Sequence, residues 1–378
     1  MATLSVAALS PEQSRDSTFA YVGSRTTTAR DGQGRGIEVF SIAADGDTWT
    51  PLQTVELDNP TYLVADHTRR YLYAVHGDFT YISAYRIEPR TGLLTELGRQ
   101  DTGGRNPAHL AVDPTNRFLV VANHSSGSVA TLPLLADGRL GPVAHLLSLP
   151  GSPGPHRTEQ TGCKPHHVPF SPDGRFVVVP DKGLDRIFTL TLDGASGALA
   201  FGTRPWEATR EMTGPRHIAF HPILPYAYTI DELRSTVTTY GWDTRSGDLA
   251  SRQIQSSTAP SMTGDSRGGE IAVSPDGRFV YASNRSGAGD GTPGGPDPDT
   301  IGVFKVSARD GTLTPVEWTS SEGLRPRFFC LSPDGRRLYA ANERSHTIVG
   351  FHIDRASGRL ARAGEVARTG SPVCVLLL

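Results

Sequence analysis

Cysteine is scarce in this chain of 378 residues: there are three, Cys163, Cys330 and Cys374, widely separated and with no CxxC spacing. That pattern excludes a disulfide framework, a zinc ribbon and a dithiol redox centre, and reads as three inert thiols. A dominant charge is missing as well. The 37 Lys and Arg are scattered along the chain against 39 Asp and Glu, for a formal net charge of −2 at pH 7. The basic footprint of a nucleic-acid binder is therefore absent. No run reaches the roughly 20 apolar residues that a membrane-spanning helix needs. The opening MATLSVAALSPEQSRD has no basic start and meets a proline early, which makes a poor secretory signal. These absences lead to the expectation of a cytoplasmic protein, a monomer or weak homo-oligomer, that meets a small molecule and neither nucleic acid nor membrane.

Glycine (41) and proline (28) are plentiful instead, and helical periodicity is rare, so many short strands joined by turns are expected. One pattern recurs: an anchor proline, a short apolar run, a Pro-Asp-Gly-Arg-like turn, a second apolar run, then Asn or Asp. It reads PAHLAVDPTNRFLVVAN from Pro107, PHHVPFSPDGRFVVVPD from Pro165, PRHIAFHPILPYAYTID from Pro215 and PRFFCLSPDGRRLYAAN from Pro326. Variants start at Pro60 and Gly268, and PVCVLLL from Pro372 supplies a first half only. The anchors stand 46 to 58 residues apart, the spacing of propeller blades and too long for leucine-rich or hexapeptide solenoids.

Seven anchors predict seven blades. The two apolar runs of each repeat form an antiparallel hairpin, strands A and B. A third run such as STVTTYGW or TIVGFHI, a turn such as RTGLL or RSGDL, and a fourth run complete four antiparallel strands per blade. Residues 18–24 look like a strand B without its A, and 372–378 like a strand A without its B. The C-terminal strand is expected to close the first blade and so remove the open sheet edges. The fold class is thus all-β, a seven-bladed β-propeller forming one domain over 1–378, with 1–16 peripheral to it.

Antiparallel pairing brings the start of A and the end of B to the same end of every blade. The position after each anchor holds Thr61, Ala108, His166, Arg216, Gly269, Arg327 and Val373, and the position past strand B holds Arg25, Gly77, His124, Lys182, Glu232, Arg285 and Glu343. The residue ending B is nearly always Asn or Asp, so it serves the repeat, its side chain bonding backbone at the turn. His166, Arg216, Glu232 and Arg285 differ from their equivalents in other blades, and the repeat does not explain them. Charge near the channel of a propeller is costly unless it is paired or wet, and a binding funnel meets that condition. Lys164, His167, His217 and Arg327 flank the four. The chain has no GxSxG elbow, HExxH, Walker A loop or GxGxxG, and its histidines lack metal-ligand spacing, so neither a metal nor a cofactor is expected.

Over nearly its whole length the chain resembles the 6-phosphogluconolactonase and 3-carboxymuconate cyclase family of seven-bladed propellers. The residues that carry the resemblance are KPHHVPFSPDGRFVVVPDKGLDRI from Lys164, GPRHIAFHPILPYAYTIDELRSTVTTY from Gly214, GGEIAVSPDGRFVYASNRS from Gly268 and PRFFCLSPDGRRLYAANERS from Pro326. In the muconate-lactonizing branch the proposed active site is a His, two Arg and a Glu, which map by motif to His166, Arg216, Arg285 and Glu232. Two departures stand out: Lys164 replaces the first His of His-Pro-His, and DEL at Asp231 replaces NEL. The Gly/Pro-rich stretch 286–300 is expected to be a loop over the mouth that tailors substrate size.

Lactone hydrolysis needs a base for water, a donor for the oxyanion and a clamp for substrate charge. His166 suits the base, because an imidazole titrates near neutral pH. Arg216 and Arg285 suit the clamp, through bidentate guanidinium pairing. Glu232 would orient the His or relay a proton, and Arg327 and Lys164 would add anion contacts. The implied substrate is a small anionic lactone or carboxylate, 6-phosphogluconolactone first. Cycloisomerisation of a carboxymuconate-like acid, or ligand binding without catalysis, are the other readings the residue types allow.

Overall fold

The computed structural model describes residues 18–286 and 299–378. The expected segment 1–16 and nearly all of the loop 286–300 lie outside the described residues. The strands form seven consecutive antiparallel sheets, one per repeat, whose inner strands stand side by side around a closed ring. In the first blade Pro372–Leu377 is the inner strand and pairs with Thr18–Ser24, followed outward by Gly36–Ile42 and Trp49–Glu56. The predicted closure is present, and backbone hydrogen bonds between Phe19 and Leu378, 2.8 and 2.9 Å long, extend it to the last residue.

Six sheets have four strands, as the repeat predicts. The fourth blade differs: its sheet has three, Val177–Asp181, Arg186–Leu192 and Leu199–Ala208. Its inner segment, 165–170, is held only by isolated bridges at Pro165–Asp181 and Phe170–Val177. Proline explains this. Pro165, Pro169 and Pro180 all fall in this hairpin, and none has an N–H to give a ladder.

Neighbouring blades are joined by a device repeated seven times. A hydroxyl on the second strand of one blade, or on the third where the second offers none, donates to the carbonyl of a glycine in the next blade's outer turn. The donor–acceptor pairs are Tyr21–Gly92, Tyr73–Gly138, Thr131–Gly197, Thr189–Gly247, Tyr228–Gly311, Tyr281–Gly358 and Tyr339–Gly46, all between 2.7 and 3.1 Å. The last pair joins the seventh blade to the first. These glycines have φ between +70° and +86°, a left-handed conformation that glycine adopts without strain. Six of them also lie against aromatic rings, and Gly46 against Arg337: a Cβ at Gly138 would fall 2.1 Å from Tyr71. The packing is apolar throughout, as between the fifth and sixth blades, where Tyr228, Ile230 and Val237 meet Ile271, Val280 and Phe304.

The Asn/Asp that ends strand B serves the ring more than its own turn. Asn123, Asn284 and Asn342 each donate Nδ2 to a backbone carbonyl in the link entering their blade, at Thr102, Ser257 and Ser321. Asp181 keeps the expected local role, accepting the N–H groups of Gly183 and Leu184 at 2.9 Å.

Candidate active site

Most inner strands carry a β-bulge near their start. The pairing register skips Thr61, Ala108, Arg216, Arg327 and Val373, and in the sixth blade Gly269 with Glu270. A bulge leaves its extra residue outside the ladder and re-aims the side chain. The position after the anchor is this bulge, which is why its residue type varies freely while the rest of the repeat does not. His166 holds the equivalent place on the irregular fourth blade, where its backbone N–H donates to Pro180 O at 3.1 Å.

The mouth of the channel on this side opens into a cavity of about 460 Å³, within the range of small-molecule sites. Of the fourteen positions picked out by the repeat alignment, thirteen line it, all but Gly269. The lining carries nine Lys and Arg against four Asp and Glu, an excess that favours an anionic ligand.

Glu232 is central among these charges. Its Oε1 takes Lys182 Nζ at 3.1 Å, and its Oε2 lies 3.3 Å from Arg216 Nε and 3.3 Å from Arg285 Nη2. Burial would raise its pKa, but Lys182, Arg285 and Arg216 together outweigh burial and hold the carboxyl well below the usual range. The two arginines are fixed from below by backbone carbonyls of the sixth blade, Arg216 by Gly269 O and Arg285 by Gly268 O. Burial, and then the charge of Arg285, lower Arg216 to about 10. A second cluster lies across the mouth, where Glu343 pairs with Arg25 at 3.1 Å and Arg325 at 3.8 Å. Arg327 sits between the clusters and has no ion-pair partner among the described residues. Burial, then Arg25, Arg216 and Arg285, push its pKa well below the usual guanidinium value, and Glu343 offsets this only in part.

His166 is buried, and burial followed by the Arg216 charge holds its pKa well below that of a free imidazole, so it is neutral at pH 7. Its Nδ1 is 3.2 Å from Nε2 of His217, whose Nδ1 is 2.7 Å from Glu270 Oε1. Glu232 makes no hydrogen bond to His166; it organises cations, and the group in contact with the imidazole is His217. His217 also lines the cavity. His167 lies off the cavity, stacked on His217 with ring centroids 4.4 Å apart. Lys164 lines the cavity edge, its pKa lowered by burial and by Lys182.

The structure thus brings His166, Arg216, Glu232, Arg285, Arg327, Lys164 and His217 together and sets His167 aside. It adds Lys182, Arg25, Glu343 and Glu270. The first three occupy positions past strand B that the alignment displayed. Glu270 had a signal too: two residues past the anchor the other inner strands have Tyr62, His109, His167, His217, Phe328 and Cys374, and an acid among these is an exception.

A closed ring of seven antiparallel sheets with a cation-rich mouth is a β-propeller built around a small-molecule cavity. The family model described as lactonase, 7-bladed beta-propeller matches residues 19–377, and the chain belongs to this family. It is 34% identical over 370 residues to a 6-phosphogluconolactonase of Bacillus subtilis, covering 95% of this chain and 98% of the relative. A Klebsiella pneumoniae protein of the same name is 33% identical over 346 residues, 90% of this chain and 95% of that one. Among solved structures, a periplasmic gluconolactonase of Pseudomonas aeruginosa superposes with a TM-score of 0.85 at 29% identity, over 96% of this chain and 99% of that one. No helix among the described residues is long and apolar enough to cross a membrane.

Proposed function

We propose that the cavity hydrolyses a phosphorylated sugar lactone, 6-phosphogluconolactone first. The observation that carries this reading is Arg327, a half-buried cation with no ion pair among the described residues, near a neutral imidazole. The relatives named above give the substrate class, and the excess of cations supplies the counter-charge for a phosphate. In this reading Arg327 and Lys164 take the phosphate. His166 Nε2 accepts a proton from water as its oxygen bonds to the lactone carbonyl carbon. Arg216 and Arg285, held rigid by Glu232 and by carbonyls, stabilise the developing oxyanion. As the ring C–O bond breaks, the proton passes from His166 to the departing alkoxide, leaving the open acid. A cytoplasmic setting belongs to the same reading and is supported by the three free cysteines.

The test is to compare 6-phosphogluconolactone, unphosphorylated gluconolactone and a carboxymuconate, each corrected for its spontaneous reaction. Faster hydrolysis of the phosphorylated lactone than of gluconolactone supports the assignment. Turnover of the carboxymuconate alone replaces it with cycloisomerisation.

A further inference from the structure

Beneath the cavity, the channel is filled by side chains two positions past the anchors, and their contacts run in one direction. Glu270 Oε1 accepts the N–H of Ile271 at 3.0 Å and lies 2.7 Å from His217 Nδ1. An ionised Oε1 can only accept, so His217 carries its proton on Nδ1. A neutral imidazole has one N–H, so His217 Nε2 presents a lone pair. The atom facing it at 3.2 Å is His166 Nδ1, which must then be the donor. His166 Nε2 is left unprotonated, without a hydrogen bond to any described residue, on a side chain that lines the cavity. We infer that Glu270 and His217 are positioning residues that fix His166 in the tautomer able to take a proton from water on the cavity side, an inference that rests on the lactonase reading above.

Packing holds the chain of contacts in register. The His167 ring lies nearly parallel to His217, at 12° and 4.4 Å, and its Nδ1 accepts the N–H of Ile218 at 3.2 Å, so the stack restricts rotation of the His217 ring. His109 and Tyr62 also meet His217 edge-on, with centroids 6.1 and 6.3 Å away. The charged groups facing His217 are Arg216 on its own strand, Glu232 at the end of the next, Arg285 and Glu270 from the sixth blade and Arg327 from the seventh; His166 meets Arg216, Arg327 and the imidazoles of His217 and His124. Burial dominates, and the cations add to it, so both rings are neutral at rest. When His166 Nε2 accepts the water proton, the Nδ1–H···Nε2 contact lets the positive charge spread toward Glu270, and it retracts when the proton passes to the leaving oxygen.

The arrangement has the logic of a catalytic triad with one imidazole inserted. Glu270→Gln presents an amide that can donate as well as accept, so His217, and through it His166, are no longer held to one tautomer.

The test combines nitrogen-15 NMR of histidine-labelled protein with kinetics. In the wild type His166 is expected as the Nδ1–H tautomer, and in Glu270→Gln as a mixture. Activity should fall roughly ten-fold or more in kcat with KM within about two-fold, the effect of a wrong tautomer. His217→Gln, which keeps an acceptor for His166 and a donor for Glu270, should recover most of the kcat lost in His217→Leu. An Nε2–H tautomer of His166 in the wild type overturns the inference, as does equal activity in His217→Gln and His217→Leu. The NMR result does not depend on turnover, so a wild type inactive on every lactone defeats the functional reading and leaves the tautomer assignment to stand or fall separately. If Glu270→Gln fails to fold, the His217 pair still decides.

Discussion

Oε2 of Glu232 lies 3.3 Å from Nη2 of Arg285, across the boundary between the fifth and sixth blades. The same carboxylate reaches Lys182 on the fourth blade through Oε1. One side chain thus neutralises cations from three blades at the edge of the cavity. Removing its charge while keeping its shape leaves Lys182, Arg216 and Arg285 to repel one another in a half-dry site. Glu232→Gln is expected to lower stability by about 3 kcal/mol, at the lower end of what breaking a buried pair costs, and to reduce kcat at least ten-fold. Urea unfolding and steady-state kinetics check both; an unchanged unfolding midpoint contradicts the assigned role.

Arg327 should behave in the opposite way. Among the described residues it makes no ion pair, and Arg25, Arg216 and Arg285 press on it more than Glu343 relieves it. Arg327→Met is expected to leave stability unchanged or raise it, and to raise KM for a phosphorylated lactone about ten-fold or more, a loss of about 1.4 kcal/mol. KM for the unphosphorylated lactone should barely move. Thermal unfolding and paired kinetics read this out, and an equal rise in both KM values would remove Arg327 from the phosphate site.

Asp231 gives a pH-dependent prediction. It is fully buried at the end of its strand, and burial raises its pKa to about 6 although Thr229, Thr236 and Thr238 donate to it. A buried acid with a raised pKa costs nothing below its unfolded value, near pH 4, where both states are protonated. Above pH 6 both are ionised, and the cost is on the order of 3 kcal/mol. Asp231→Asn should therefore gain stability relative to wild type as pH rises from 4 to 6 and keep a constant margin above that. Unfolding measured at pH 4, 5, 6 and 7 shows it; a margin independent of pH refutes it.

Deleting residues 372–378 removes the inner strand of the first blade and its pairing with Thr18–Ser24. This exposes a sheet edge and opens the ring. The truncated chain is expected to lose cooperative thermal unfolding and to aggregate. A sharp transition within a few degrees of wild type would show that closure contributes little.

The blade count, the closure of the ring and the face holding the cavity were legible because repetition makes exceptions visible. His166, Arg216, Glu232 and Arg285 stood out against their equivalents, and the cavity gathers all four. Other features were hidden for physical reasons. The anchor-plus-one position is a bulge, and bulges have no residue signature apart from glycine. The role of Glu232 depends on distances to three cations from three blades, which no local pattern encodes. The lost ladder of the fourth blade was written in Pro165, Pro169 and Pro180, but the regularity of the repeat around them hid it. His167 and His217 are each next to a predicted site residue in sequence, yet alternation sends one behind the other.

The most direct test of the central claim is the rate of 6-phosphogluconolactone opening by wild type and by His166→Asn, with the spontaneous rate subtracted, followed from pH 5 to 8. Because burial and Arg216 keep His166 neutral, the wild type should accelerate opening with a kcat/KM that stays level below pH 6.5, where a free imidazole would already be protonated. The folded His166→Asn protein should lose at least about 100-fold of that rate, the scale of a missing general base. No acceleration by wild type, or an undiminished rate in His166→Asn, would contradict the account.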